Sequence, residues 1–171
     1  MTDPIALKYR AFISYCHADT SWAKWLHRRL ESFRIDKDLA GRETVRGTIP
    51  EALRPIFRDR EDFVAGEILS EQTLAAVDAS HALIVVCSPE TAKSRYVNEE
   101  LRLFRSRHPE RPVIPLIVGG KPYDPELECF PPALKFNPAE DRIAIGEVHH
   151  GMVVEAFDCS LALMAAHRPA A

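Results

Sequence analysis

The side chains able to do chemistry in this 171-residue chain gather in three short segments. The first, residues 14–19, offers hydroxyls at Ser14 and Tyr15, a thiol at Cys16, an imidazole at His17 and a carboxylate at Asp19. His17 and Asp19 have the composition of an acid–base pair, yet the segment does not assemble a nucleophile–base set. Asp19 reads as the N-cap of the helix that follows, and His17 as a surface or pocket-edge residue. Ser14 and Cys16 fit either the end of a buried strand or the lining of its exit. The second segment, residues 58–66, interleaves Arg58 and Arg60 with Asp59, Glu61 and Asp62 before Phe63, Val64 and Gly66. Guanidinium groups bind phosphate oxygens in pairs of hydrogen bonds. The interleaved acids support a second reading, a salt-bridged loop in which Asp59 holds Arg58. The third segment, residues 88–100, ends with Tyr96 and Glu100, four residues apart and so on one helix face. Glu99 projects about 100° away. Tyr96 either stacks on a planar ring of a ligand or packs on the core.

The elements that must carry these segments follow from hydrophobic pattern. Residues 9–16 are rich in aromatic and β-branched side chains and read as a buried strand. Trp22, Trp25, Leu26, Leu30 and Phe33 recur at helical spacing over residues 20–33. Residues 34–50, with Gly41, Gly47 and Pro50, read as a long loop. Pro55, Ile56 and Phe57 mark a short strand, and Ser70 opens a second helix. Residues 81–88 form a continuous apolar run bounded by Pro89, the pattern of a central parallel strand covered on both faces. One helix is expected over residues 91–108, with Val97, Leu101 and Phe104 on one stripe. Residues 113–118 form a further strand, ended by Gly119 and Gly120. Beyond Lys121 the prolines break the pattern, leaving a short strand at 142–145 and a terminal helix at 152–166. Strands alternating with helices predict an α/β, doubly wound, mostly parallel sheet with helices on both faces. The expected organisation is an N-terminal tail at 1–8, a single domain at 9–166 with its clearest core at 9–118, and a frayed end at 167–171.

In an open parallel sheet, ligands bind outside the carboxyl ends of the strands. That rule brings the turn after the first strand, the turn after the short second strand and the helix after the third to one edge. Arg58, Asp59, Tyr96 and Glu100 become neighbours on topology alone.

Four stretches in the same order resemble TIR (Toll/interleukin-1 receptor) domains, a flavodoxin-like fold. Phe12-Ile13-Ser14-Tyr15 is similar to their opening strand, and residues 57–66 to their BB loop. Residues 82–89 resemble their third strand with its Ser-Pro end, and residues 94–101 the segment carrying the catalytic glutamate of NAD-cleaving members. The resemblance covers residues 9–118. It implies that Glu100 is the catalytic acidic residue of an NAD+ nucleosidase or cyclic ADP-ribose-forming cyclase. Ser14, Tyr15, Arg58, Asp59, Phe63 and Tyr96 would then border the dinucleotide. NAD+ would be a substrate, with no cofactor and no metal. Cleaving an N-glycosidic bond to cationic nicotinamide builds positive charge on the ribose, which a carboxylate stabilises. Many members carry Trp where Tyr96 stands, which leaves hydrolysis, base exchange and cyclisation all open. The resemblance also implies partners: other TIR domains, in a homo-oligomer or filament with the BB loop, residues 58–68, as interface, and a role in bacterial anti-phage immunity. A non-catalytic TIR–TIR adaptor is the alternative that Phe63, Val64 and Gly66 equally suit. A phosphoacceptor receiver, also doubly wound, would need an aspartate where Ser88 stands.

Composition narrows the remaining classes. A net charge of −3 gives no global field for nucleic acid or an anionic membrane. No apolar run approaches the roughly 20 residues that span a bilayer. Residues 1–8 lack the apolar stretch of a secretion signal. Cys16, Cys87, Cys129 and Cys159 form no Cys-x-x-Cys pair, so free thiols, no structural zinc with His149 and His150, and a cytoplasmic setting are expected. No G-x-G-x-x-G or Walker A pattern is present, which argues against a dehydrogenase or P-loop enzyme.

Overall fold

The computed structural model describes residues 7–44, 47–58 and 70–135. Its centre is a four-stranded sheet built from β1 (Ala11–Ser14), β4 (Ile56–Arg58), β5 (Leu83–Cys87) and β6 (Val113–Ile117), in the order β4-β1-β5-β6. All three pairings are parallel. Among these four strands the chain order is therefore 2-1-3-4, with the reversal of direction beside β1 that defines the flavodoxin-like arrangement. Ser14, Arg58, Cys87 and Ile117 end their strands on one edge.

Strand alternation sorts the core into two layers. On one side Phe12, Leu83, Val85 and Cys87 pack with α2 (Glu71–Asp78), α4 (Arg95–Arg107) and α5 (Pro132–Lys135), through Ala76, Val77, Val97, Leu101, Phe104 and Leu134. On the other, Ala11, Ile13, Ile56, Ile84 and Val86 meet Ala23, Leu26 and Leu30 of α1 (Thr20–Ser32). All five residues of β5 are buried, as a doubly covered central strand requires. At the sheet edge, His27 Nε2 lies 3.0 Å from the Ile56 carbonyl, and Glu31 accepts from the Ile56 N–H at 2.5 Å. Two side chains of α1 thus occupy backbone groups of β4 that would otherwise invite another strand.

The expected cap at Ser70 forms, its hydroxyl accepting from Thr73 N at 3.1 Å. Three expectations are corrected. Residues 34–50 hold a small antiparallel ribbon, β2 (Glu43–Thr44) paired with β3 (Gly47–Thr48), tied by Thr48 Oγ1 donating to Glu43 Oε1 at 2.6 Å. The single helix over 91–108 is two: α3 (Pro89–Lys93) and α4, separated by Ser94 in an extended conformation. The break has a local cause, because the Ser94 hydroxyl accepts from Val97 N at 3.3 Å and starts a new helix. Asp19 does precede α1, but its side chain makes no capping bond. The expected strand at 142–145 and helix at 152–166 lie outside the described residues, as do Cys159, His149 and His150.

At the opposite edge of the sheet, Asp78 closes α2 by accepting from Arg107 Nη1 at 2.7 Å and from His108 Nε2 at 2.9 Å. Arg111 reaches the carbonyls of Asp78 at 2.7 Å and Ser80 at 2.9 Å. Beside this cluster, burial and the cations Arg10 and Arg111 hold the half-buried His81 imidazole below its ordinary pKa of 6.5. Because the unfolded chain takes up the proton more readily, His81 contributes stability that is complete above pH ~6.5 and lost as pH falls toward the folded value. Chemical denaturation of His81→Gln against the parent should show a shallower loss of stability as pH falls below ~6.5. Identical slopes would mean that His81 keeps its proton equally in both states.

Candidate functional site

Four of the seven sequence-predicted site residues meet in two pairs at the carboxyl edge of the sheet. The first joins β1 to α4. Ser14 shares the face of Phe12 by strand alternation and so looks toward α4. From that helix Glu100 reaches back, and Ser14 Oγ donates to Glu100 Oε2. Both are withdrawn from water, each with 1% of its surface exposed. Glu100 therefore is not the solvated helix carboxylate that surface statistics favour. It sits on the inward stripe of α4 with Val97, Leu101 and Phe104, while Glu99 is exposed.

The second pair joins the first strand's exit to the edge strand. Arg58 Nη1 donates to Tyr15 Oη at 3.1 Å. Tyr15 packs with the α1 layer, and Arg58 stands in register with Ile13, which belongs to the same layer. The Arg58–Tyr15 and Ser14–Glu100 pairs thus rise on opposite faces of the sheet. A ligand that touches both has to lie across the carboxyl edge. Tyr96 is half-buried, one helical turn before Glu100. Asp59 and Phe63 lie outside the described residues, as does the rest of the 58–68 loop beyond Arg58.

Sequence reading missed a well-connected buried carboxylate at this edge. Asp19 is 7% exposed, and its Oδ2 accepts from Ser88 Oγ at 2.5 Å, Thr91 Oγ1 at 2.8 Å and Cys16 Sγ at 2.9 Å. A buried carboxylate is tolerated when it is hydrogen-bonded, and three donors satisfy this one better than a single helix N–H would. Two of the donors lie some seventy positions downstream, so no local pattern announced them. The Ser88 hydroxyl also accepts from Thr91 N at 3.2 Å and caps α3. Burial, together with the Asp19 carboxylate that accepts its proton, pushes the Cys16 thiol up. Cys16 is therefore a poor nucleophile at neutral pH. His17 is exposed, as expected of a surface residue. Ser88 stands where a receiver would carry its phosphoacceptor, and it spends its hydroxyl on Asp19. Among the described residues no three His, Cys, Asp or Glu side chains gather as metal ligands, and no helix is long and apolar enough to cross a membrane.

The flavodoxin-like strand order agrees with a comparison of sequences: the family model described as TIR domain matches residues 11–144. The chain belongs to the TIR domain family. This TIR domain is 32% identical over 139 residues to the NAD(+) hydrolase ApTIR of Actinoplanes sp., an alignment that takes in 75% of this chain. The chain spans only 18% of that relative's length. Solved structures similar to this TIR domain include the TIR domains of the activated Roq1 resistosome directly recognizing the pathogen effector XopQ. That match has 23% identity over 64% of this chain and 57% of the other, with a TM-score of 0.43. Another is a metazoan TIR-STING receptor from C. gigas, with 25% identity over 78% of this chain and 37% of the other and a TM-score of 0.46.

Proposed function

We propose that this TIR domain cleaves NAD+ at the nicotinamide–ribose bond, with Glu100 as the catalytic carboxylate. The observation that carries the reading is the withdrawal of Glu100 from water at the ligand edge of the sheet, where Ser14 holds it. Burying a carboxylate costs a fold free energy unless it is compensated, and this one occupies the position that ligands use in parallel sheets. The NAD(+) hydrolase named among its relatives supports the same substrate.

As the glycosidic bond lengthens, positive charge spreads over the ribose ring. A fixed carboxylate beside the sugar stabilises that charge more than it stabilises the neutral ribose of the ground state. The leaving nicotinamide already carries its positive charge, so its departure calls for no strong general acid. Arg58, braced by Tyr15, supplies a guanidinium suited to the pyrophosphate, and Tyr96 a ring to stack against nicotinamide or adenine. Asp59 and Phe63, on the 58–68 loop, complete the substrate contacts. Water capture of the ribosyl cation gives ADP-ribose, whereas capture by the adenine gives a cyclic isomer.

The same loop serves as an interface between copies, so that assembly completes the site and activates a bacterial effector of anti-phage defence in the cytoplasm. Purified protein incubated with NAD+ should release nicotinamide, with ADP-ribose or its cyclic isomer resolved by chromatography. Its activity per molecule should rise with protein concentration, as an assembly-dependent enzyme requires. Intact NAD+ after incubation with concentrated, crowded protein would return the domain to an adaptor role. Constant specific activity over a hundredfold range of concentration would remove the assembly requirement.

A further inference from the structure

The bonds around Asp19 form part of a closed circuit through the carboxyl edge. From Ser14 the chain runs through Cys16 and a 3-10 turn (His17–Asp19) to the Asp19 carboxylate. Asp19 holds Ser88 and Thr91, the cap and an inner residue of α3. Helix α3 ends at Ser94, and that same Ser94 caps α4. Less than two turns along α4 stands Glu100, which returns to Ser14. Polar cross-ties join the β1 side to the α3–α4 side at Asp19 and at Glu100. Removing the Asp19 carboxylate takes away two of the hydrogen bonds that seat α3 against the first strand's exit, and the Glu100 carboxylate then rides on a less constrained helix start.

We propose that Asp19 is a positioning residue for Glu100. It sets the seat of the α3–α4 junction against the exit of β1 and thereby fixes where the Glu100 carboxylate stands. The idea rests on the reading of Glu100 as the catalytic group, but its geometric content does not need turnover. The charge on Asp19 matters less than its ability to accept several hydrogen bonds at once. Asn, which keeps one carbonyl oxygen in the same place, retains most of the function; Ala retains little of it. The competing explanation is that Asp19 only stabilises the fold, and the loss of a remote ion pair supplies the comparison. Asp78 lies at the opposite edge of the sheet and ties α2 to Arg107 and His108.

The test compares Asp19→Ala, Asp19→Asn and Asp78→Ala, all assayed well below their melting temperatures and after confirmation of fold by circular dichroism. Asp19→Ala is expected to lower kcat for NAD+ cleavage by about ten- to a hundredfold while KM changes less than threefold, the range that follows from small misplacement of a catalytic group. Asp19→Asn should recover to within about threefold of the parent, and Asp78→Ala should keep the parent kcat despite a lower Tm. The second readout is carbon NMR of glutamate-labelled protein, with the Glu100 carboxyl resonance assigned by its loss in Glu100→Gln. Asp19→Ala should move that resonance, and Asp78→Ala should leave it in place. A protein that fails to cleave NAD+ at all overturns the enzymatic reading, and the resonance still decides the coupling. An unmoved Glu100 signal in Asp19→Ala, or equal kcat losses in Asp19→Ala and Asp78→Ala, overturns the positioning role.

Discussion

Glu100→Gln is expected to reduce nicotinamide release by at least about a hundredfold while leaving the fold intact. The variant keeps the shape of the side chain and an oxygen that can accept from Ser14 Oγ, so the β1–α4 tie survives. On the proposed reading, what it removes is the negative charge that faces the developing cation. A preorganised electrostatic contact of this kind is worth about 3–4 kcal/mol of barrier when a single group is deleted. Stability should move the other way or not at all, since an amide is easier to bury than a carboxylate. Glu100→Ala should lose activity to the same extent but should also melt earlier, because it leaves a space beside Val97 and Leu101 and strands the Ser14 hydroxyl. Glu99→Gln is the matched control. That residue is exposed on the adjacent position of the same helix, so its activity should stay within about twofold of the parent. NAD+ consumption and thermal melts of the three variants decide the matter, and equal activity in all of them would dismiss Glu100 as the catalytic group.

Gly120→Ala is the substitution expected to damage the fold most for the smallest chemical change. Gly120 follows β6 with φ +78°, a left-handed conformation that side chains rarely adopt. A Cβ built there would stand 2.5 Å from the Leu127 carbonyl oxygen, 2.9 Å from Cys129 Cβ and 3.0 Å from Pro89 Cγ. Two of these three neighbours belong to rigid parts of the fold: the Leu127 carbonyl accepts from Lys121 N at 2.7 Å, and Pro89 is the first residue of α3. Backbone strain at a left-handed position and overpacking against fixed atoms each cost about 1–3 kcal/mol, so a loss of roughly 3–5 kcal/mol is expected. For a domain of this size that corresponds to a fall in Tm on the order of 10 °C. Gly41→Ala, also at positive φ but with nothing within 4 Å of the added carbon, separates the two contributions and should cost about 1–2 kcal/mol. Melting temperatures of the two variants provide the check; a Gly120→Ala protein as stable as the parent would mean that the turn rearranges freely.

The sequence by itself determined the layers and the chain's path. The apolar run at residues 83–87, bounded by Pro89, fits a strand covered on both faces, and the stripe of Val97, Leu101 and Phe104 fits a helix face turned to a core, because hydrophobic period is a local property of the chain. The parallel order those elements imply then put the turns of three strands at one edge, which was enough to bring Arg58 and Glu100 into view. Which partner each side chain meets was a different kind of question. Helical spacing puts Glu100 on the stripe of Val97, Leu101 and Phe104, but its partner Ser14 stands 86 positions away on another element. The partners of Asp19 lay 69 and 72 positions away at Ser88 and Thr91, so the residue read as an ordinary helix cap until the fold brought three donors to it. The division of the site residues between opposite faces of the sheet likewise came from register, with Arg58 opposite Ile13 and Ser14 beside Val85. Hydrophobic periodicity is written within a few turns of chain, whereas hydrogen bonding at a sheet edge is settled between segments that meet only once the sheet has formed.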